Sequence, residues 1–346
     1  MEQVLSFPKL GLDLTLNRIA FSIFGIDIYW YGLIMATGFA LAVIYCLHRT
    51  KDYGLANDDV LDITIFSTIG AIICARAYYV IFQWEEFAGD LTRIFDIRQG
   101  GIAVYGSLIG AFLTGFIVCK IKKVRFRTMA DLASMGFLIG QGIGRWGNFV
   151  NIEAFGKNTT LPWGMTSESI SNYLQSNMAK LAEIGVTVNP DMPVHPCFLY
   201  ESIWCIIGFF ILNAIYKKRK FDGEIVLIYT AWYGFERMIV EGLRTDSLML
   251  GKVRVSQLLA GILFVVATIT VVLIRKKIKS ENNPEFLKLY VYTDESRERL
   301  AKFSAKKGTK SATDNCDNKS DDNIVGLGEQ PTSNGVEQVH QTKTDE

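Results

Sequence analysis

Seven long apolar stretches, separated by connectors that alternate in charge, constrain this chain more than any other feature. They run over about residues 28–47, 60–82, 102–118, 129–149, 198–216, 225–242 and 255–274. Each is near the roughly 20 residues that a helix needs to cross a bilayer core. Amphipathic periodicity is weak in them, as expected of helices that meet lipid or other apolar helices. The fourth is the least hydrophobic and the richest in glycine, so hydropathy alone leaves it the doubtful one. A hydrophobic content of 49% is too high for an ordinary soluble domain and fits a polytopic membrane protein with a polar appendage.

The connectors set the orientation. Basic clusters follow the first stretch (His48, Arg49, Lys51) and the third (Lys120, Lys122, Lys123, Arg125, Arg127). Others follow the fifth (Lys217, Lys218, Arg219, Lys220) and the seventh (Arg275, Lys276, Lys277, Lys279). The intervening connectors are mixed in sign, with Glu85, Glu86 and Asp90 in the first of them. The positive-inside rule then places the N-terminus outside and the C-terminus in the cytoplasm. The expected fold is all-α: a polytopic membrane bundle of seven transmembrane helices over residues 28–279. An external arm (1–27) precedes it.

Residues 150–197 form the one long external connector, punctuated by Pro162, Pro190, Pro193 and Pro196, with a helix expected over about 169–184. From residue 280 to 346 the composition is too polar to bury a core, which predicts a disordered cytoplasmic tail, with a short helix allowed over about 294–303. The N-terminus lacks the pattern of a cleavable signal. Six cysteines without a C-x-x-C pair read as small buried hydrophobes.

With this topology the unusual polar residues share one depth. Tyr31, Arg76, Tyr105, Arg145, Asn148, Tyr200, Glu201, Arg237, Glu241 and Arg244 all fall toward the outer ends of their stretches. At 100° per residue, Tyr233, Arg237, Glu241 and Arg244 lie within a stripe of about 80°. Arg237 and Glu241, four apart, are spaced to pair. Ion pairs that merely hold helices together are the simpler account, and for Arg76 the better one. Around Arg237 two arginines face one glutamate, which leaves a cation to spare. Arginine presents a planar fork suited to phosphate, and the natural anion at that depth is a phospholipid headgroup. The spacings Gly136–Gly140–Gly144 and Gly106–Gly110 read mainly as helix-packing positions.

The available chemistry is narrow. No Gly-x-Ser-x-Gly elbow, phosphate-binding Gly-rich loop or metal-ligand cluster is present, so neither cofactor nor metal is expected. A pocket of Arg, Tyr, Asn and Glu binds and polarises a phosphate-bearing substrate, while the nucleophile comes from a second substrate.

Residues 144–156, Gly-Arg-Trp-Gly-Asn-Phe-Val-Asn-Ile-Glu-Ala-Phe-Gly, resemble the signature G-R-x-G-N-F-x-N-x-E-x-x-G of the prolipoprotein diacylglyceryl transferases. Further pieces stand in family order: Trp30-Tyr31-Gly32, Gly100 to Gly110, His195-Pro196 to Tyr200-Glu201, and Arg237 to Arg244. The resemblance covers about residues 20–278. It implies a bacterial plasma-membrane enzyme that works at the outer leaflet. Such an enzyme moves the diacylglyceryl group of phosphatidylglycerol to the lipobox cysteine of a prolipoprotein signal peptide and releases glycerol phosphate. Nucleic acid has no part in it.

Carried over by residue, Arg145 would hold the phosphate and Arg237 would assist its departure. Glu241 and Glu153 would orient the arginines, and Asn148 and Asn151 would fix the headgroup. Gly156 would shape the external turn, and Tyr31 and Tyr233 would line the reaction centre. Glu201 and Arg244 fall among the substrate-binding residues. Many members carry a histidine where this chain has Tyr105. A tyrosine, with a pKa of about 10, is a poor base at neutral pH. The expectation is that Tyr105 positions by hydrogen bonding and that the arginines favour the thiolate. A phospholipid or organic-anion transporter with the same arginine cavity is the alternative, but transporters usually show internal repeats and none is found here.

Overall fold

The computed structural model describes residues 2–96, 100–245, 249–250, 253–281 and 287–305. All seven expected segments are helices: α1 (Trp30–Tyr53), α2 (Asn57–Phe82), α3 (Val104–Ile121), α4 (Phe126–Asn151), α6 (Cys197–Ile215), α7 (Glu224–Glu241) and α8 (Val255–Ser280). The expected helix in the long connector is α5 (Glu168–Glu183), whose N-cap Ser167 accepts a hydrogen bond from the Ile170 amide. By length and composition five helices are apolar enough to cross a membrane: α1, α2, α3, α8 and α6 with its 3-10 extension to Lys218.

The two helices left out of that set are α4 and α7, and their surroundings explain why. α4 packs against α1, α6 and α7, with fewer contacts to α3. Its buried residues include Thr128, Asp131 and Ser134, which an apolar lipid-facing helix would not carry. The doubtful segment of the sequence is thus the central one, and it can be polar because its neighbours are protein rather than lipid. Its glycines serve that packing. A Cβ at Gly136 would meet Cys46 Sγ at 3.0 Å, and one at Gly144 would meet Met35 Sδ at 2.9 Å. The outer faces of α2 and α8 are different: Ile65, Phe66, Ile69, Ile73, Leu258, Val266 and Leu273 are all exposed, as lipid contact requires.

Four short strands precede α1, a departure from the all-α expectation. β1 (Glu2–Phe7) pairs antiparallel with β2 (Leu12–Asn17), and β3 (Ile19–Ile23) with β4 (Ile26–Tyr29). Gly11, in the left-handed region at φ +61°, ends the 3-10 turn between the first pair. Leu5 and Phe7, on either side of Ser6, bury their side chains in a small second core with Ile152, Phe155, Ile170, Leu174 and Val194. The Ser6 and Thr166 backbones exchange two hydrogen bonds of 2.8 Å, which joins the first hairpin to the long connector. A last short hairpin, β5 (Met249–Leu250) with β6 (Val253–Arg254), leads into α8.

The basic clusters gather at one end of the bundle. Asp131 accepts from the amides of Gly223 (2.8 Å) and Val226 (2.9 Å), and so caps α7 from another helix. Arg219 donates to the carbonyls of Tyr216 (3.1 Å) and Asp52 (2.8 Å) and lies over the Tyr53 ring. The chain after α8 was expected to be disordered from residue 280, yet residues 287–300 are ordered against this end. Tyr290 is fully buried and its amide donates to Asp222 (2.8 Å). Arg299 forks onto Asp59 at 2.6 and 2.9 Å, and Ser296 Oγ donates to the Gly54 carbonyl. A buried aromatic and a two-pronged ion pair supply what the polar composition lacks. The expected short helix spans residues 294–305. The chain divides into two units after Leu300, and of the second only residues 301–305 are described, all helical. Residues 306–346, the rest of the expected tail, lie outside the described residues.

Candidate active site

At the opposite end of the bundle, α4, α6 and α7 bring together charges that the sequence keeps far apart. Their meeting point is Glu201 in the second turn of α6, 1% exposed. Arg145 of α4 pairs with its Oε2. Arg237 of α7 lies 3.5 Å from the same oxygen, and Arg244 beyond α7 lies 3.5 Å from Oε1. Arg237 also pairs with Glu241 one turn on at 2.7 Å, as their spacing predicted. Arg254, before α8, donates to the backbone carbonyl of Glu241. Three guanidinium groups therefore converge on a site whose paired carboxylates are Glu201 and Glu241. The arginine side chains stay 12–20% exposed, while both carboxylates are enclosed.

Local structure explains how the signature residues reach this place. α4 ends in a turn where Ile152 (φ +54°) and Ala154 (φ +56°) both adopt left-handed backbone. That is strained for any side chain and most of all for a β-branched one, so surrounding structure has to impose it. The turn folds Glu153 back over the helix end, where its Oε1 accepts from Asn148 (2.8 Å) and Asn151 (3.4 Å). Glu153 thus holds the two asparagines, and among the described residues no ion pair joins it to an arginine. Gly156 is held by packing. A Cβ there would lie 2.9 Å from both Cys197 Sγ and His195 Cβ, and 3.0 Å from the Leu243 carbonyl. Its amide donates to the His195 carbonyl (2.9 Å), and the Lys157 amide to Leu243 (2.7 Å). The signature loop is thereby tied to the start of α6 and the end of α7.

Tyr31 lies over Gly147, whose Cβ would come within 2.8 Å of the Tyr31 ring. Tyr233 stacks on Tyr229 with ring centroids 6.1 Å apart and stands within electrostatic reach of Arg145, Arg237 and Glu201. Gln141 donates to the Tyr229 hydroxyl (2.9 Å), which links α4 to α7 beneath the arginines. Tyr105 is not drawn into this group: its hydroxyl is 3.3 Å from Ser256 Oγ at the start of α8, and its ring is 44% exposed. His195 shares a hydrogen bond of 3.1 Å with the Tyr200 hydroxyl. Burial, reinforced by Lys157, holds the His195 pKa below the usual histidine value. Its imidazole is therefore neutral at neutral pH.

Arg76 belongs to structure, as the simpler account of it held. It donates to the carbonyls of Arg93, Ile94, Asp96, Gly100 and Gly101, and so fastens the α2–α3 connector. One residue of the site escaped the sequence reading. Glu236, beside Arg237 on α7, is 3% exposed and within electrostatic reach of Arg145, Arg237, Arg244 and Glu201. It stands outside the signature, and only its place in an apolar segment signalled it.

The arrangement is suited to holding a phosphate-bearing anion against a wall of planar guanidinium forks beside an apolar bundle. Comparison with known proteins points the same way. The family profile described as prolipoprotein diacylglyceryl transferase matches residues 18–273. The phosphatidylglycerol–prolipoprotein diacylglyceryl transferase of Clostridioides difficile is 40% identical over 270 residues, which cover 78% of this chain and 100% of the relative. That of Finegoldia magna is 40% identical over 264 residues, 76% of this chain and 98% of the relative. That of Bacillus cytotoxicus is 38% identical over 267 residues, 77% and 95% respectively.

Proposed function

The chain belongs to the prolipoprotein diacylglyceryl transferase family, and from that premise we propose how its site carries out the transfer. The enzyme is a transferase that moves the diacylglyceryl group of phosphatidylglycerol to a prolipoprotein. The acceptor is the lipobox cysteine thiol of the signal peptide. The bundle has seven spans, with the N-terminus outside, the C-terminus in the cytoplasm and the arginine end at the outer leaflet of the bacterial plasma membrane. The four basic clusters at the other end support this orientation.

The convergence of Arg145, Arg237 and Arg244 on Glu201 is the observation that carries the mechanism. Arg145 and Arg237, the more accessible of the three, take the phosphodiester. Asn148 and Asn151, held by Glu153, bind the glycerol headgroup. The thiol gives up its proton to solvent, and the thiolate sulfur attacks the diacylglyceryl carbon bound to the phosphate oxygen. A C–S bond forms as the C–O bond breaks, and the electron pair leaves on glycerol phosphate. That leaving group gains a second negative charge, so guanidinium groups stabilise the transition state more than the bound lipid. The thiol needs little activation, since its ordinary pKa of about 8.5 lies near neutral and neighbouring cations lower it. Tyr31 and Tyr233 wall the reaction centre, and Tyr105 positions through its hydroxyl at the α3–α8 contact.

Incubation of the purified protein with phosphatidylglycerol and a lipobox peptide tests the reading. The peptide gains the mass of one diacylglyceryl group, and the gain disappears when its cysteine is replaced by serine. Movement of lipid between leaflets without covalent transfer would instead support a transporter.

A further inference from the structure

Among the buried carboxyl groups at the arginine end, Glu236 is the one to which the mechanism gives no part. Neither of its carboxyl oxygens has a hydrogen bond among the described residues, and no ion pair reaches it there. Unsatisfied buried carboxyls are costly, and one that persists beside three arginines calls for an explanation. We infer that Glu236 is a positioning residue whose proton sets the charge of the arginine cluster: protonated, it leaves the site cationic and fit for the phosphodiester; ionised, it lowers that charge by one and weakens lipid binding. The inference rests on the transferase reading above.

Geometry and charge balance carry it. Glu236 sits on the face of α7 turned toward α4 and α6. The ionisable groups around it are Arg145 from α4, Glu201 and Cys205 from α6, Tyr229, Tyr233 and Arg237 from α7 itself, and Arg244 just beyond α7. From α8's side, Arg254 is directed to the Glu241 backbone. A bare carboxylate in this position would draw a guanidinium to itself, yet all three point to Glu201 or Glu241. Two neighbouring buried carboxyl groups share one proton more readily than they carry two charges, and Glu201 already has the cations. With Glu236 neutral, Arg145, Arg237 and Arg244 keep their full attraction for the single charge of a phosphodiester. Ionisation of Glu236 sets one more negative charge within electrostatic reach of all three. Glu236 is almost wholly enclosed while the arginines are partly accessible, so it acts on the lipid through them and does not touch the reacting atoms.

The test is the KM for phosphatidylglycerol as a function of pH, at saturating lipobox peptide, for the full chain and its Glu236→Gln and Glu236→Asp variants. The phosphodiester keeps one charge throughout, so a change in KM reports the protein. In the parent enzyme KM should rise on the alkaline side by up to about tenfold per pH unit, the limit for one ionising group. Glu236→Gln should hold the low-pH KM across the range with kcat near the parent value. Glu236→Asp should keep the rise with its midpoint displaced. A Glu236→Gln profile that parallels the parent would overturn the inference. So would loss of kcat at every pH with unchanged thermal stability, which would mark direct action on the substrate. If Glu236→Gln fails to fold, the aspartate variant decides, and an undisplaced midpoint rejects the idea. Absence of transfer by the parent enzyme at any pH would instead refute the transferase reading, and this inference with it.

Discussion

The two ends of the bundle are both rich in charge, but they use it differently. At the basic end each buried charge has its own partner. Asp131 serves the amides of α7, Asp222 serves the Tyr290 amide and Arg125, Asp59 serves Arg299, and Arg219 serves two carbonyls. At the other end three arginines crowd onto one glutamate, and Glu236 beside them has no hydrogen-bond partner among the described residues. Bonds spread over amides, carbonyls and cations fix helices in place, whereas three guanidiniums crowded onto one carboxylate leave cationic capacity for something that is not protein. The number of charged residues would not separate the two ends; the way they are partnered does.

That contrast can be broken or sharpened by substitution. The largest effect is expected for Glu201→Gln, which leaves three guanidiniums short of their common carboxylate. Removing one partner of a buried pair costs about 3–5 kcal/mol, so thermal unfolding should fall steeply and transfer should be lost. A variant of near-parent stability would show that Glu201 is no hub.

Arg145→Ala should lower kcat by about 10²–10³, the usual cost of removing one donor that stabilises developing charge, while the fold persists. Tyr105→Phe should cost far less, since its hydroxyl meets Ser256 and neither arginine. Equal losses in the two variants, measured in the purified transfer assay, would put Tyr105 into the chemistry.

The matching change at the basic end, Arg299→Ala, should cost about 1.5–3 kcal/mol of stability, the range for hydrogen bonds to a charged group. The activity of the folded fraction should stay the same. Loss of activity at equal stability would mean that the ends are coupled.

The smallest effect concerns His195. Its folded pKa lies below the unfolded value, so neutral histidine is favoured in the native state. That stabilisation is complete above about pH 6.5 and is lost as pH falls through the lower folded value. His195→Gln should therefore flatten the decline in melting temperature between about pH 7 and 5. An unchanged decline would assign the acid sensitivity to other groups.

Much of this was legible in the sequence, for identifiable reasons. Helices that must cross a bilayer declare themselves by length, and the basic clusters mark one end. The signature named Arg145, Asn148, Asn151, Glu153 and Gly156, and the structure gathers all five at the end of α4 or in the turn after it. The first hairpin left only a faint trace, Leu5 and Phe7 on either side of Ser6 ahead of Gly11, too short a period-2 signal to stand out beside the helical stretches. The ordered segment after α8 was harder to see. Its composition is polar, and its order depends on Asp59 and Asp222, residues far back in the chain. Glu236 was hidden for a related reason. A glutamate next to a paired arginine looks like its partner, and only coordinates show that Arg237 turns to Glu201 and Glu241 instead.

The dependence of Arg145 on Glu201 also bears on how the protein is made. Arg145 lies in α4, whereas Glu201 opens α6 and the helices between and after them follow later in synthesis. A nascent chain therefore delivers a guanidinium to the membrane before the carboxylate that will neutralise it exists. Until α6 arrives, that arginine has to be sheltered by water or lipid phosphate at the bilayer edge. On the proposed topology, the headgroup that the finished enzyme releases would be the same kind of group that shelters its arginine during assembly.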